Sequence, residues 1–385
     1  MTTRGDPREQ HHVFLIPGLF GFTQLAGYDY FGHVERAIGA RFAGAGVPCR
    51  IHLVPSLPTS SITARAAETA RTVTRAAGAS GPIHLLGHSS GGLDARLCVS
   101  PSRRVRFSTD EIDWASRVRT LVSVNTPHYG TPLAAYFSTV SGTRLLSALS
   151  LLTVTTLSLG HAPLAALAGA VSAIRAIDGR LGLDIRFVDD MTENLLRFVG
   201  EQGRKEIRTF LTRMKEDQAG IVQLMPEVCE LFNTTTRDEP RIRYGCVMTC
   251  APPPGPRRLV PAVLSPLRAL QLVVYTTLFG VASSVDQRYH YAAPSLEESR
   301  ALHLGLHREA TPDLVDGIVP TLSMLWGELL WCGPADHLDV VGHFEDDFRH
   351  GEHVDWLHSG AHFRRKDFDA MADAVVGFML RDSPS

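Results

Sequence analysis

The sequence predicts an α/β protein: a mostly parallel β-sheet with helices on both faces and an apolar helical cap inserted into it. Three observations carry this. Short apolar runs alternate with helical patterns from residue 12 to about 124. Those runs are too uniformly apolar to face water on one side, as expected of strands covered by helices on both faces. Strand grammar then lapses over a long uncharged stretch and resumes near residue 243.

The elements follow in order. Residues 12–16 (HVFLI) read as a buried strand that ends at Pro17-Gly18, and a helix is expected around 28–43. Residues 50–54 (RIHLV) form a second strand, and 60–77 a helix with Ser60 or Ser61 as N-cap. A third strand at 83–87 runs into a helix from about Ser90, and a fourth occupies 118–124. A later strand is expected at 243–249 and a closing amphipathic helix at 367–380.

Two segments interrupt this rhythm. Between 145 and 174 the only residue with an ionisable side chain is His161, and 269–285 is also apolar. Twenty apolar residues can cross a bilayer, but Gly160, His161 and Pro163 interrupt the first stretch and no positive cluster flanks it. Both are read instead as a cap over the carboxyl ends of the strands, where open α/β sheets place their sites. The expected organisation is one domain over 1–385, with a cap or lid insertion at 133–240 and a second apolar excursion at 256–300.

Composition narrows the function class. The 385 residues include 38 Lys+Arg against 40 Asp+Glu, a formal charge of −2 that gives no footing for nucleic acid. The six cysteines show no metal-ligand or disulfide spacing and read as buried free thiols, with Cys246 and Cys250 on one side of a strand. The polar N-terminus runs straight into a strand without a signal-like apolar region, so a cytoplasmic location is expected, with contact at a membrane surface through the cap.

The chemistry centres on Gly87-His88-Ser89-Ser90-Gly91, a G-x-S-x-G motif between a strand and a helix. That context is a nucleophile elbow: a sharp turn holds the serine strained and exposed, and small residues at Gly87 and Gly91 permit the close approach. A serine hydroxyl needs a base, itself oriented by an acid. Asp316 in an Asp-Gly turn and His337 some twenty residues on give the order Ser, Asp, His. Asp313 and Asp336 are rival acids, and His343, His353, His358 and His362 rival bases. Acyl transfer also needs backbone donors for an oxyanion. Ser90 N–H would be one and Leu19 N–H the other, with Gly18 allowing the loop after the first strand to approach. Asp94 and Arg96 read as structural, and His128 as either a residue of the site mouth or an ordinary loop residue.

The segments IPGLFG, LLGHSSGGLDAR, VNTPHYGTPLA, DGIVPTLSMLWG and DHLDVVGHF resemble those of bacterial triacylglycerol lipases and related esterases of the α/β-hydrolase superfamily. They spread over about residues 13–345, and the cap segments match least. The resemblance implies the α/β-hydrolase fold, a triad of Ser89, Asp316 and His337, and an oxyanion loop opening at Pro17-Gly18. Pro17 stands where the family often has His. Some members bind a structural calcium through an Asp two residues after the histidine, here Asp339. Calcium takes six to eight oxygens and no upstream partner is identifiable, so no cofactor is expected and Asp339 stands only as a calcium candidate.

The expected function is hydrolysis of lipid-like carboxylic esters through an acyl-enzyme, since two apolar segments above a site suit a medium- or long-chain acyl group. An acyltransferase or polyester depolymerase could use the same apparatus. A non-catalytic lipid-binding or membrane-scaffold protein is the reading from another class.

Overall fold

The computed structural model describes residues 9–19, 24–25, 28–55, 57–102, 113–139, 201–255, 266–286, 289–345 and 355–381. Among the described residues, six parallel strands form one sheet: β1 (His11–Ile16), β2 (Cys49–Leu53), β3 (Ile83–His88), β4 (Val118–Val124), β5 (Arg243–Cys250) and β6 (Glu328–Pro334), in the order β2-β1-β3-β4-β5-β6. All carboxyl ends therefore lie at one edge, with β3 and β4 at the centre.

Period-two alternation decides which helix each strand residue meets. Val13, Leu15, Leu86, Val122 and Val247 face one way. There they share a core with Val34, Ile38 and Phe42 of α1 (Gly32–Gly44) and with Phe368, Met371 and Val375 of the closing helix (Arg365–Leu380). Phe14, Ile16, Leu85 and Leu121 face the other way. They pack on Ala66, Ala70 and Val73 of α2 (Ile62–Ala76) and on Ala95, Cys98 and Val99 of α3 (Gly91–Val99). Helices thus cover both faces, as a sheet with apolar residues on both sides requires.

Most expected elements are present, with three differences. The first helix begins at Gly32 rather than near 28, because Tyr28–Asp29 instead pairs antiparallel with Gln24–Leu25. A helix at Leu296–Leu306, opened by a Ser295/Glu298 capping box, escaped the pattern because Leu296 and Leu304 lie on its exposed side. Strand β6 escaped it too: it is a half-exposed edge strand without alternation. Of the two residues expected to cap the second helix, Ser61 does so, its Oγ accepting from Ala64 N at 3.2 Å.

The uncharged stretch at 145–174 lies outside the described residues. The insertion's described elements are Pro132–Phe137, Glu201–Glu216, Ala219–Val222 and Pro226–Thr235. Glu201–Glu216 is strongly charged rather than apolar. The second excursion contains the helix Pro266–Ala282, whose Val274, Tyr275 and Leu278 join the main core beside Leu133 and Phe137. Among the described residues no helix is long and apolar enough to cross a membrane. All six cysteines are free, with Cys246 and Cys250 together in one buried cluster.

Stacked histidine pairs link neighbouring strands: His11 at the start of β1 with His84 of β3, and His12 of β1 with His52 of β2. His11 Nδ1 lies 2.9 Å from His84 Nε2, His84 Nδ1 lies 2.8 Å from Thr120 Oγ1, and His12 Nδ1 lies 3.0 Å from His52 Nε2. Burial, and then the neighbouring His11, hold the His84 pKa well below the usual histidine range. Burial pushes His52 down to about 4. The unfolded chain takes up protons at these rings near pH 6.5 while the folded chain does not, so their contribution to stability is present above that pH and lost as pH falls through it. The free energy of urea unfolding should thus fall less steeply between pH 7 and 5 in His84→Asn than in the parent, by up to about 1.4 kcal/mol per pH unit. Equal slopes would contradict this account of His84.

Candidate active site

Ser89 follows the last residue of β3 and adopts φ 56°, the left-handed region that a residue with a side chain rarely enters. The chain around it fixes this turn. Ser89 N donates to Val124 O of β4 at 2.9 Å, and Gly92 N already donates back to Ser89 O at 3.2 Å as α3 begins. A side chain at position 87 would run into the backbone of Gly91 and Gly92, and one at position 91 into the carbonyl of Ile16. Strand, turn and helix can therefore close this tightly only through glycine at both positions. The result is a serine 8% exposed at the carboxyl edge of the central strand.

Asp316 and His337 meet at the same edge. His337 Nδ1 lies 2.6 Å from Asp316 Oδ2, with both side chains buried. The Asp316 turn is built to hold that carboxylate: its Oδ1 accepts from Ile318 N at 2.9 Å and Val319 N at 2.7 Å, and Gly317 supplies φ 98°. His337 N donates to Asp316 O at 3.1 Å, which ties the two loops by backbone as well. With the Nδ1 proton committed to the carboxylate, Nε2 is the ring nitrogen left to exchange one.

His88 links this pair to the elbow. Its Nε2 lies 2.8 Å from His337 O, and its Nδ1 lies 2.6 Å from Tyr30 Oη. A carbonyl only accepts, so Nε2 carries the proton and Nδ1 accepts from the tyrosine. Burial, and next the neighbouring His337, hold the His88 pKa well below its usual value, in keeping with that single tautomer. The ring centroids of His88 and His337 are 4.8 Å apart. No hydrogen bond joins Ser89 Oγ to His337 in this conformation; such bonds are often long before substrate binds.

The expected oxyanion donors lie beside Ser89. A Cβ on Gly18 would stand 2.5 Å from Ser89 Cβ and 3.0 Å from its Oγ, so the loop after β1 crosses directly over the serine. Leu19 N donates to Ser90 Oγ at 2.9 Å and is therefore occupied in this conformation. Ser90 occupies the N-cap position of α3, where unpaired N–H groups favour negative charge.

The rival residues lie elsewhere or do other work. Asp313 and His362 are exposed, and His353 lies outside the described residues. His343 is buried, with its ring 6.2 Å from that of Tyr30. His358 donates from Nδ1 to Asp355 at 2.6 Å. His128 does not face a site mouth: it is fully buried against Ser123 Oγ at 3.0 Å and Arg96 Nη1 at 3.3 Å. Arg96 stacks on Trp326, 3.4 Å from its ring centroid, and donates to Asn233 Oδ1 at 2.9 Å. Asp94 pairs with Arg65 at 2.7 Å, a partner the sequence reading did not single out.

Asp339 has company that the sequence did not reveal. Carboxylate oxygens of Asp336, Asp339 and Asp355 lie within 4.8 Å of one another. Asp336 Oδ1 accepts from Leu338 N and Asp339 N, while its buried Oδ2 has no hydrogen-bond partner. Burial, and then Asp355, push the Asp336 pKa up to about 7. Burial and then Asp336 raise Asp339 as well. Three clustered hard oxygen donors, one of them unpartnered, fit a divalent cation such as calcium. Asp355 lies nearly twenty residues downstream, beyond any local spacing signal.

Among solved structures, the chain is similar to lipase 1 from Pelosinus fermentans, with TM-score 0.52 and 15% identity over 96% of this chain and 99% of that one. It is also similar to the lipase of Staphylococcus hyicus, with TM-score 0.50 and 13% identity over 97% of this chain and 96% of that one. No protein-family model matches the sequence. No curated protein matches it. The chain shares the α/β fold of these two bacterial lipases across nearly its whole length.

Proposed function

We propose that this chain is a serine ester hydrolase acting on lipid-like esters. One observation carries the reading: a serine in a left-handed elbow, whose neighbour His88 is bonded to the backbone of a histidine that an aspartate holds at 2.6 Å. In this mechanism Ser89 Oγ attacks the ester carbonyl while His337 Nε2 takes its proton. Asp316 orients the ring and balances the imidazolium. The N–H groups of Leu19 and Ser90 stabilise the oxyanion, which requires the Ser90 hydroxyl to turn away from Leu19 as substrate enters. His337 then protonates the departing alcohol and activates the water that releases the acyl group.

The preference for a lipid-like acyl group rests on the uncharged stretches at 145–174 and 269–285 and on where the second one sits. Tyr275 of the helix Pro266–Ala282 lies against the acid turn: a Cβ on Gly317 would stand 3.1 Å from its ring. An apolar helix thus runs directly beside Asp316. The two solved structures reported above are lipases by name, in line with this reading.

Ser89→Ala should lower p-nitrophenyl ester hydrolysis by at least about 10⁴-fold, and Asp316→Asn by about 10³–10⁴-fold, with folding retained. Measured on esters of increasing acyl length, the parent's kcat/KM should rise towards medium and long chains. Retained turnover in Ser89→Ala would sink the mechanism; a preference for short soluble esters would leave a plain esterase. Near-complete transfer of the acyl group to an added alcohol would mark an acyltransferase.

We propose that Asp336, Asp339 and Asp355 would hold a structural calcium. Bound there, it would supply positive charge that balances three carboxylates and fixes the His337 loop. Calcium at about 100 times its Kd should then stabilise the chain by about 2.7 kcal/mol. Calorimetry should show Tm raised by calcium, lowered by chelation and insensitive to both in Asp339→Asn; an unchanged parent Tm would refute the assignment.

A further inference from the structure

Arg65 is a charge where the helix pattern calls for an apolar residue. It lies on the buried face of α2 among Ile62, Ala66, Thr69 and Ala70 and is only 5% exposed. All three nitrogens of its guanidinium are engaged. Nε donates to Asp94 Oδ2 at 2.8 Å, and Nη2 lies 2.7 Å from the same oxygen. Nη2 also donates to Pro17 O at 2.5 Å, and Nη1 to Gly18 O at 3.3 Å and Leu57 O at 3.1 Å. Asp94 stands one turn into α3, its N–H donating to Ser90 O at 3.1 Å. The pair therefore bolts two consecutive carbonyls of the loop after β1 to the helix that follows the serine.

Peptide geometry turns this into an orientation. The N–H of a trans peptide points opposite to its C=O. Holding Gly18 C=O on the Arg65 side turns Leu19 N–H the other way, and that N–H does reach Ser90 Oγ at 2.9 Å. Holding Pro17 C=O likewise turns the Gly18 N–H away from Arg65, and Gly18 itself lies against Ser89. A buried ion pair is weak evidence of a role in stability, since apolar residues of like volume often serve as well. Its fork of donors is matched instead to a carboxylate and several carbonyls at once, which a lysine cannot reproduce.

We infer that Arg65, itself fixed by Asp94, is a positioning residue that presets the Leu19 amide to receive negative charge beside Ser89. This rests on the proposed ester-hydrolase reading and adds the device that keeps its oxyanion donor in place. Because that donor acts most strongly as charge develops, losing its orientation should weaken the transition state more than ground-state binding.

The test compares Arg65→Met and Arg65→Lys with the parent on one soluble p-nitrophenyl ester, with competent sites counted by fluorophosphonate titration. Per titrated site, kcat should fall by about 10–100-fold in Arg65→Met, less than or comparable to the loss of a whole oxyanion donor, while KM stays within about threefold. The affinity for a trifluoromethyl ketone, which binds as a tetrahedral anion, should fall by the same factor as kcat/KM. Arg65→Lys should recover only part of both. Arg41→Met serves as the control: it removes a cation that pairs with Asp369 and Asp373 on the closing helix and should change neither quantity. If Arg65→Met does not fold, Asp94→Asn makes the same comparison, with a smaller loss in the same direction. Unchanged per-site kcat and ketone affinity would overturn the inference, as would a loss confined to the number of titratable sites. Failure of the parent reading is separately visible, as hydrolysis that survives Ser89→Ala.

Discussion

A serine held at φ 56° at the end of a central parallel strand is the constraint on which the rest of this structure depends. The conformation is unfavourable by itself and persists only where the surroundings over-determine it. Here they do so from three sides. Val124 O receives the Ser89 amide, α3 begins immediately afterwards, and Gly18 crosses above with no side chain in the way. The parallel sheet makes this economical: the ends of β1, β3, β4, β5 and β6 share one edge, so the loops that follow them converge on the serine.

The buried polar groups form chains that lead to that edge. Tyr30, His88 and the His337 carbonyl make one, joining the turn before α1 to the histidine loop through the elbow itself. Asp94, Arg65 and the carbonyls of Pro17 and Gly18 make another, joining the serine's helix to the loop over it. Asp336 and Asp339, two members of the carboxylate cluster, lie next to His337 in the chain. Groups of this kind are costly to bury unless partnered. Several of them converge beside the serine, and that is where the fold accepts part of that cost; the histidine pairs of β1, β2 and β3 are another such place. His128 and Arg96 form a separate buried network against Trp326, and it serves packing.

Local patterns made the elbow and the first four strands legible in the sequence. A strand, a G-x-S-x-G turn and a helix sit within about twenty residues, and each is specified by its own neighbours. Asp316 and His337 were legible through order along the chain, and the structure places them in contact. Arg65 was not, because an arginine within a helical pattern looks like any solvated arginine until the carbonyls it faces are known. Asp355 was hidden for the same reason: its partners Asp336 and Asp339 come from a different loop. Leu296 and Leu304, exposed on their helix, blurred the amphipathic period, and β6 lacks alternation because it is half-exposed at the sheet edge. Sequence periodicity reports burial, so elements that are partly exposed fall outside what it can reveal.

The central claim is that Ser89 carries the acyl group, and trapping that intermediate tests it most directly. The protein would be mixed with a p-nitrophenyl ester, quenched in acid within the first turnovers, digested and examined by peptide mass spectrometry. The account predicts one added acyl mass, on the peptide containing Ser89, absent when Asp316 is replaced by Asn and the quench is equally early. An acyl group on another residue, or sustained turnover with no adduct at Ser89 at any quench time, would contradict it.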